Sequence, residues 1–95
     1  MYGTIAKLAS KPGAVDELRR METGRRPAGY IGSHVFQSDK DSNELWLVVM
    51  FESKAAYMAN ADSPEQDEEF RRLMNYHSAE PEWHDGEIIF SSKSI

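Results

Sequence analysis

In the stretch ELWLVVMFES, Glu44 to Ser53, seven consecutive residues are apolar. A strand with one wet face alternates apolar and polar residues, so this run predicts a strand covered on both sides. The pattern elsewhere supplies its neighbours. Tyr2–Ala9 (YGTIAKLA) reads as a first strand ending at Ser10-Lys11-Pro12-Gly13. Pro12 suits the first turn of a helix, where its missing N–H costs nothing. Val15, Leu18 and Met21 then recur on one helical face, and Gly24 can close that helix in a left-handed conformation. The connector RRPAG leads to a second strand, Tyr30–Ser38, and the polar turn DKDSN joins it to the apolar run as a hairpin. Ser53 can cap a short helix, KAAYMANA. Ser63-Pro64-Glu65-Gln66 is a stronger start signal, combining a capping Ser, a Pro at the first helical position and a Gln three residues after the Ser. Phe70, Leu73, Met74 and His77 follow at i, i+3, i+4 and i+7, one apolar stripe. Pro81 ends that helix, and Glu87–Ser92 (EIIFSS) is the expected last strand.

The order β-α-β-β-α-β defines an α+β, ferredoxin-like fold with a four-stranded antiparallel sheet, in one domain over residues 1–95. Two helices cover one face of such a sheet. Alternation puts Leu45, Leu47, Val49 and Phe51 on one face of the third strand and Trp46, Val48 and Met50 on the other. Each of those side chains gains about 1.5–3 kcal/mol on burial. A second copy of the same sheet, related by a two-fold axis, is the expected cover. The alternative is shielding by long neighbouring side chains.

Composition narrows the function. The chain has no cysteine, which excludes disulfides, iron–sulfur clusters and thiolate zinc sites. Its net charge of −5 argues against nucleic acid as a partner. RNA-recognition modules share the element order, but their third strand displays a basic residue and spaced stacking aromatics. Here Glu44 and aliphatic residues stand instead. No apolar run approaches the roughly 20 residues of a membrane span, and the first residues lack a signal-peptide layout. A cytoplasmic protein with no membrane partner is expected.

A sheet-to-sheet dimer of these units is the dimeric α/β barrel. Within it, YIGSHVFQSDKDSNELWLVVMFESKAAYMANADSPEQDEEFRRL resembles the antibiotic biosynthesis monooxygenase family. The carriers are a Gly-containing second strand, an apolar third strand ending in Phe-Glu-Ser, and the Ser63-to-Leu73 helix with its Phe70. The resemblance implies a small homodimer that oxygenates polyketide-type aromatics or quinols, often with no metal or flavin. One branch of the family degrades haem, with an Asn on the first strand, a Trp ending the third and a His in the long helix. An ungapped comparison puts Ala6, Phe51 and Phe70 at those positions. The axial imidazole that would hold haem iron is missing, so no cofactor is expected.

Such chemistry needs a dry apolar pocket and a polar group to deprotonate or orient an acidic hydroxyl. In this fold the pocket lies between helices and sheet. Phe51, Phe70, Met74 and His34 are the expected substrate contacts, and His77 and Tyr57 the candidate catalytic groups. Core packing is the competing explanation for each, and His77 could instead interact with a helix C-terminus. His34 could face the pocket or the dimer seam. His77, Glu80, Glu82 and His84 suggest a metal cluster, but Pro81 interrupts them and a solvated loop is expected. Arg19, Arg20, Arg25 and Arg26 could receive an anion or simply compensate a helix dipole. Two functions stay open: a cofactor-independent monooxygenase, and a non-catalytic barrel that binds a small hydrophobic ligand or serves in stress.

Overall fold

The computed structural model describes residues 1–20 and 26–92. Met21, Gly24 and Arg25 lie outside the described residues. The elements run β1 (Tyr2–Ala9), α1 (Ala14–Arg19), β2 (Tyr30–Gln37), β3 (Glu44–Phe51), α2 (Lys54–Ala61), α3 (Pro64–Met74) and β4 (Glu82–Glu87). They form one sheet in the order β2-β3-β1-β4, with antiparallel neighbours throughout. This is the ferredoxin-like arrangement expected from the sequence.

Local chemistry places most boundaries. The Ser53 Oγ accepts the Ala56 amide at 3.1 Å, and the Ser63 Oγ accepts the Gln66 amide at 3.2 Å with Pro64 opening α3. The β2–β3 turn is closed by the Asp41 carboxylate, which accepts the Asn43 amide at 2.9 Å. Pro12 does not open α1. Lys11 to Ala14 forms a turn closed by the Ala14 amide on the Lys11 carbonyl, with Gly13 at φ 80°. Pro followed by left-handed Gly is the sequence of a type II turn, and the helix starts after it.

The last strand differs from expectation. β4 is EWHDGE, not EIIFSS, and it pairs with β1 from Lys7↔Glu82 to Tyr2↔Glu87. The stretch holding Glu82 and His84 is therefore strand rather than loop. Charged residues are tolerated there because β4 is a sheet edge.

Register sorts the side chains onto two faces. Thr4, Ala6 and Leu8 of β1 stand beside Val49, Leu47 and Leu45 of β3, under the helices. Ala6, Leu8, Leu45 and Phe51 are buried there, with Val15 and Leu18 of α1 packed against the Ala6–Leu8–Leu45 cluster. The opposite face carries three rows across the sheet: Gly32, Met50, Gly3 and Gly86; His34, Val48, Ile5 and His84; Phe36, Trp46, Lys7 and Glu82. Trp46, Val48 and Met50 are half-buried, and the Lys7 ammonium sits 5.9 Å from the Trp46 ring centroid.

Gly29 fixes how α2 docks. It has φ 79°, and a Cβ there would lie 2.6 Å from the Ala56 Cβ. Gly29→Ala should cost about 1–3 kcal/mol, read as a lower urea midpoint with unchanged slope. Gly13→Ala has a similar φ and nothing within 4 Å. It should cost less, and equal costs would show that the contact with α2 is unimportant.

Candidate functional site

Above β2 and β3, on the helix-covered face, lies an open cavity of about 500 Å³. Its floor is Val35, Leu47, Val49 and Phe51, with the Tyr30 ring edge-on to Phe51 at 5.6 Å. Its roof is polar. Gln66, Glu69 and Leu73 recur at i, i+3 and i+7, so one face of α3 presents them together, joined by Arg72 and by Asn60 at the end of α2. Ser63 sets this junction. Its hydroxyl donates to the Asn60 carbonyl at 2.8 Å while capping α3, and the Asn60 amide donates to the Gln66 Oε1 at 3.2 Å. At the mouth, the Arg26 guanidinium lies 5.8 Å from the Tyr30 ring centroid, and the Tyr30 and Ser33 hydroxyls are 2.7 Å apart. Two guanidinium groups thus face the cavity against one carboxylate, Glu69, among the described lining residues.

Of the residues expected to form the pocket, Phe51 does so. His34 stands opposite Val48 on the other face of the sheet. The Phe70 ring turns towards β4 and packs on Trp83 at 6.1 Å. Met74 is the last residue of α3 and is not among the lining residues.

His77 is displaced because α3 ends before it. The Tyr76 and His77 amides bond to Leu73 and Met74 three residues back, so the helical stripe breaks. His77 instead pairs with Ser10 at the end of β1 and is buried, with Nδ1 2.6 Å from the Leu73 carbonyl. A carbonyl only accepts, so Nδ1 carries the proton. Nε2 is buried with no hydrogen-bond partner among the described residues. Such an atom costs free energy, and nothing else in the structure accounts for it.

Tyr57 lies behind Phe51, with ring centroids 5.7 Å apart, and its hydroxyl donates to the Asp85 Oδ1 at 3.0 Å. The phenol is pushed up to about 12, chiefly by burial and then by the hydrogen bond to Asp85 and its charge. The Thr4 hydroxyl acts in the opposite, weaker sense and has no well-formed hydrogen bond of its own.

The cavity's polar roof was not foreseen from sequence. The signal was present in the shared spacing of Gln66, Glu69 and Leu73, but polar residues on a surface helix ordinarily mark its wet side. Among the described residues no cluster of His, Cys, Asp or Glu is gathered to hold a metal ion, and no helix is long and apolar enough to cross a membrane.

A sheet carrying a cavity of this kind under its helices defines a class that sequence comparison identifies. The antibiotic biosynthesis monooxygenase model matches residues 1–75, and the chain belongs to that family. The match stops ahead of His77 and β4. No curated protein matches the chain. Among solved structures, one from Chloroflexus aurantiacus J-10-fl assigned to the same family is 22% identical, with a TM-score of 0.79 over 97% of this chain and 96% of that one. A conserved protein from Methanosarcina mazei Go1 is 20% identical, with a TM-score of 0.76 over 90% and 89%. A mutant of SnoaB, a cofactor-independent oxygenase from Streptomyces nogalater, is 8% identical, with a TM-score of 0.78 over 95% and 94%. At these identities the likeness establishes the fold.

Tyr57 gives a direct test of the interior. Ultraviolet titration of the four tyrosines should show one phenol ionising late, near 12, and Tyr57→Phe should remove that step. Because the folded value is raised, this group's stabilisation is complete below the unfolded value of about 10. It is lost as pH rises through about 12. Uniform ionisation near about 10 would contradict the Tyr57–Asp85 geometry.

Proposed function

We propose that the chain is a monooxygenase that oxidises a small aromatic or quinol-type substrate with molecular oxygen, needing no metal or flavin, and that it works as a homodimer. The observation that carries this reading is the cavity, whose flat apolar floor faces a roof of guanidinium, amide and carboxylate groups. A planar substrate would lie over Val35 and Val49, which the buried Phe51 backs, with its acidic group towards α3. Glu69 takes the proton, and Arg72 with the Asn60–Gln66 pair stabilises the resulting oxyanion. For an anthrone-type methylene, the anion passes an electron to oxygen and the radical pair joins as a peroxide. Loss of water then leaves a carbonyl. One oxygen atom stays in the product and the other leaves with both hydrogens, so no external reductant is consumed. The description of SnoaB as a cofactor-independent oxygenase supports this choice.

Of the two expected catalytic groups, neither is the base in this reading. Tyr57 keeps its proton until about 12, and His77 is committed to the Leu73 carbonyl. A second reading, binding of a small hydrophobic ligand without turnover, is favoured by the lack of histidine among the described lining residues.

The homodimer uses the face of Trp46, Val48 and Met50, which none of the described helices of the same chain covers. Exposed Ile5 and Phe36 extend that apolar surface. Soluble monomers rarely leave such a patch bare.

Glu69→Gln should lower oxygen uptake with anthrones or hydroquinones by roughly 10²-fold, with the melting temperature unchanged. The assay uses protein shown by spectrum and metal analysis to carry no flavin or metal. Turnover that appears only after adding either would end the cofactor-independent reading, and full activity in the variant would remove Glu69 from it. Val48→Asp, which would bury an unpaired carboxylate at the seam, should give monomers or insoluble protein. A wild type that scatters light as a monomer at micromolar concentration would refute the dimer.

A further inference from the structure

Four aromatic rings stand in an unbroken line at one end of the sheet. Tyr30 is at the cavity mouth, its ring edge-on to Phe51 at 5.6 Å. Phe51 meets Tyr57 at 5.7 Å, and Tyr57 meets Tyr2 at 5.3 Å. Tilted and edge-on contacts at these distances are ordinary aromatic packing. The charges set along the line are a separate feature. The Arg26 guanidinium lies 5.8 Å from the Tyr30 ring centroid, and the Lys54 ammonium 5.8 Å from that of Tyr2. Between these two cationic ends, the Tyr57 hydroxyl donates to the Asp85 Oδ1 at 3.0 Å. Packing explains the rings but not this alternation of charge. The oxygenation described above uses neither Tyr57 nor Asp85.

We propose that Tyr57 is a one-electron redox site, which takes an oxidising equivalent from the cavity by way of Tyr30 and Phe51 and passes it to a soluble reductant. The proposal rests on the oxygenase reading for its oxidant, a peroxyl radical strayed from the radical pair, and on geometry for the rest. A cation over a ring makes an electron harder to remove, and an anion beside it makes removal easier. The hole therefore settles on Tyr57 rather than on Tyr30 or Tyr2. A phenol that loses an electron becomes a strong acid and must shed its proton. Asp85 already accepts the hydrogen bond through which that proton leaves. The Tyr30 hydroxyl has only the neutral Ser33 hydroxyl, at 2.7 Å. Phe51 has no hydroxyl and its ring is harder to oxidise than a phenol, so it bridges the two tyrosines without holding the hole.

The steps balance. The peroxyl radical takes an electron and a proton from the Tyr30 hydroxyl and becomes a hydroperoxide. Tyr57 returns an electron to Tyr30 across Phe51 while its own proton crosses to Asp85, and Tyr30 regains a proton from water. A thiol or ascorbate then gives one electron to Tyr57 and its own proton to water, and Asp85 hands its proton back. Tyr57 is half-buried and Asp85 exposed, so a soluble reductant can approach from the β4 side. One radical is removed, one molecule of reductant is oxidised, and both tyrosines are restored.

Peroxyl radicals from a water-soluble azo initiator supply the oxidant without any substrate, and samples are frozen for electron paramagnetic resonance. Wild type should show a neutral tyrosyl signal. Tyr57→Phe and Tyr30→Phe should each lose it, whereas Tyr76→Phe, outside the line, should keep it. A signal that survives Tyr57→Phe, or a tryptophanyl signal in its place, overturns the redox site. Survival in Tyr30→Phe overturns the route from the cavity. Asp85→Asn keeps the size and a hydrogen-bond acceptor but cannot take the proton. It should lose the signal with its melting temperature unchanged, and a full signal there would reduce Asp85 to a structural contact. Oxygen uptake with anthrones, measured on the same proteins, reads the oxygenase separately. A Tyr57 radical without turnover refutes the oxygenase and keeps the redox site, and turnover without that radical does the reverse.

Discussion

A sheet backed by helices on one side can bury only one of its faces, and this limit organises the molecule. The two central strands are built for it in different ways. β1 brings Ala6 and Thr4 to the covered face, small enough for helices to sit close. β3 brings Leu45 and Phe51 to fill the space between them. The described part of α1 packs on the Ala6–Leu8–Leu45 cluster through Val15 and Leu18. The β2 side is left beneath one face of α3 that carries Gln66 and Glu69. Side chains of that kind do not collapse onto Val35 and Val49 as a leucine face would, and the gap between them is the cavity.

The cavity's electrostatics run against those of the whole chain. The protein as a whole carries a net charge of −5, yet its described lining presents two arginines and one carboxylate. A charge developing inside is therefore met by local groups rather than by the global field, which is screened beyond about 8–10 Å in physiological salt. Serine chemistry supplies the rigidity. Ser63 bonds the end of α2 and the start of α3 with one hydroxyl. Asn60 and Gln66 are thereby positioned by helix ends rather than by a loop.

Most of the fold was legible in the sequence because its signals are local. The apolar run of β3, the Ser-capped starts of α2 and α3, and the turn between β2 and β3 each depend on a few adjacent residues. β4 was illegible for the opposite reason. EWHDGE has strand-averse residues at most positions and is a strand only because β1 offers it an edge. EIIFSS has strand propensity, but after Glu87 opposite Tyr2 and the Ile88 amide on the Met1 carbonyl, no described strand lies beside the rest of it. The site was legible in Phe51, whose face follows from alternation. It was not legible in His77, because periodicity carries a stripe forward and cannot see that a turn after Met74 has ended the helix. His34 needed the register itself, since its strand is balanced between the two faces.

The pairing of β1 has a consequence for how the chain is made. β1 leaves the ribosome ahead of the other strands of this sheet and is one that ends up between two neighbours, with Tyr2 facing Phe51 on one side and Glu87 on the other. At about 5–20 residues per second, the wait between synthesis of Tyr2 and of Glu87 is roughly 4–17 seconds. Throughout it, β1 has at most one of its two neighbours. Gly3 and Lys7 lie within this waiting strand, and both weaken its appeal as a template for foreign strands. The nascent chain is thus guarded by residues of β1 itself.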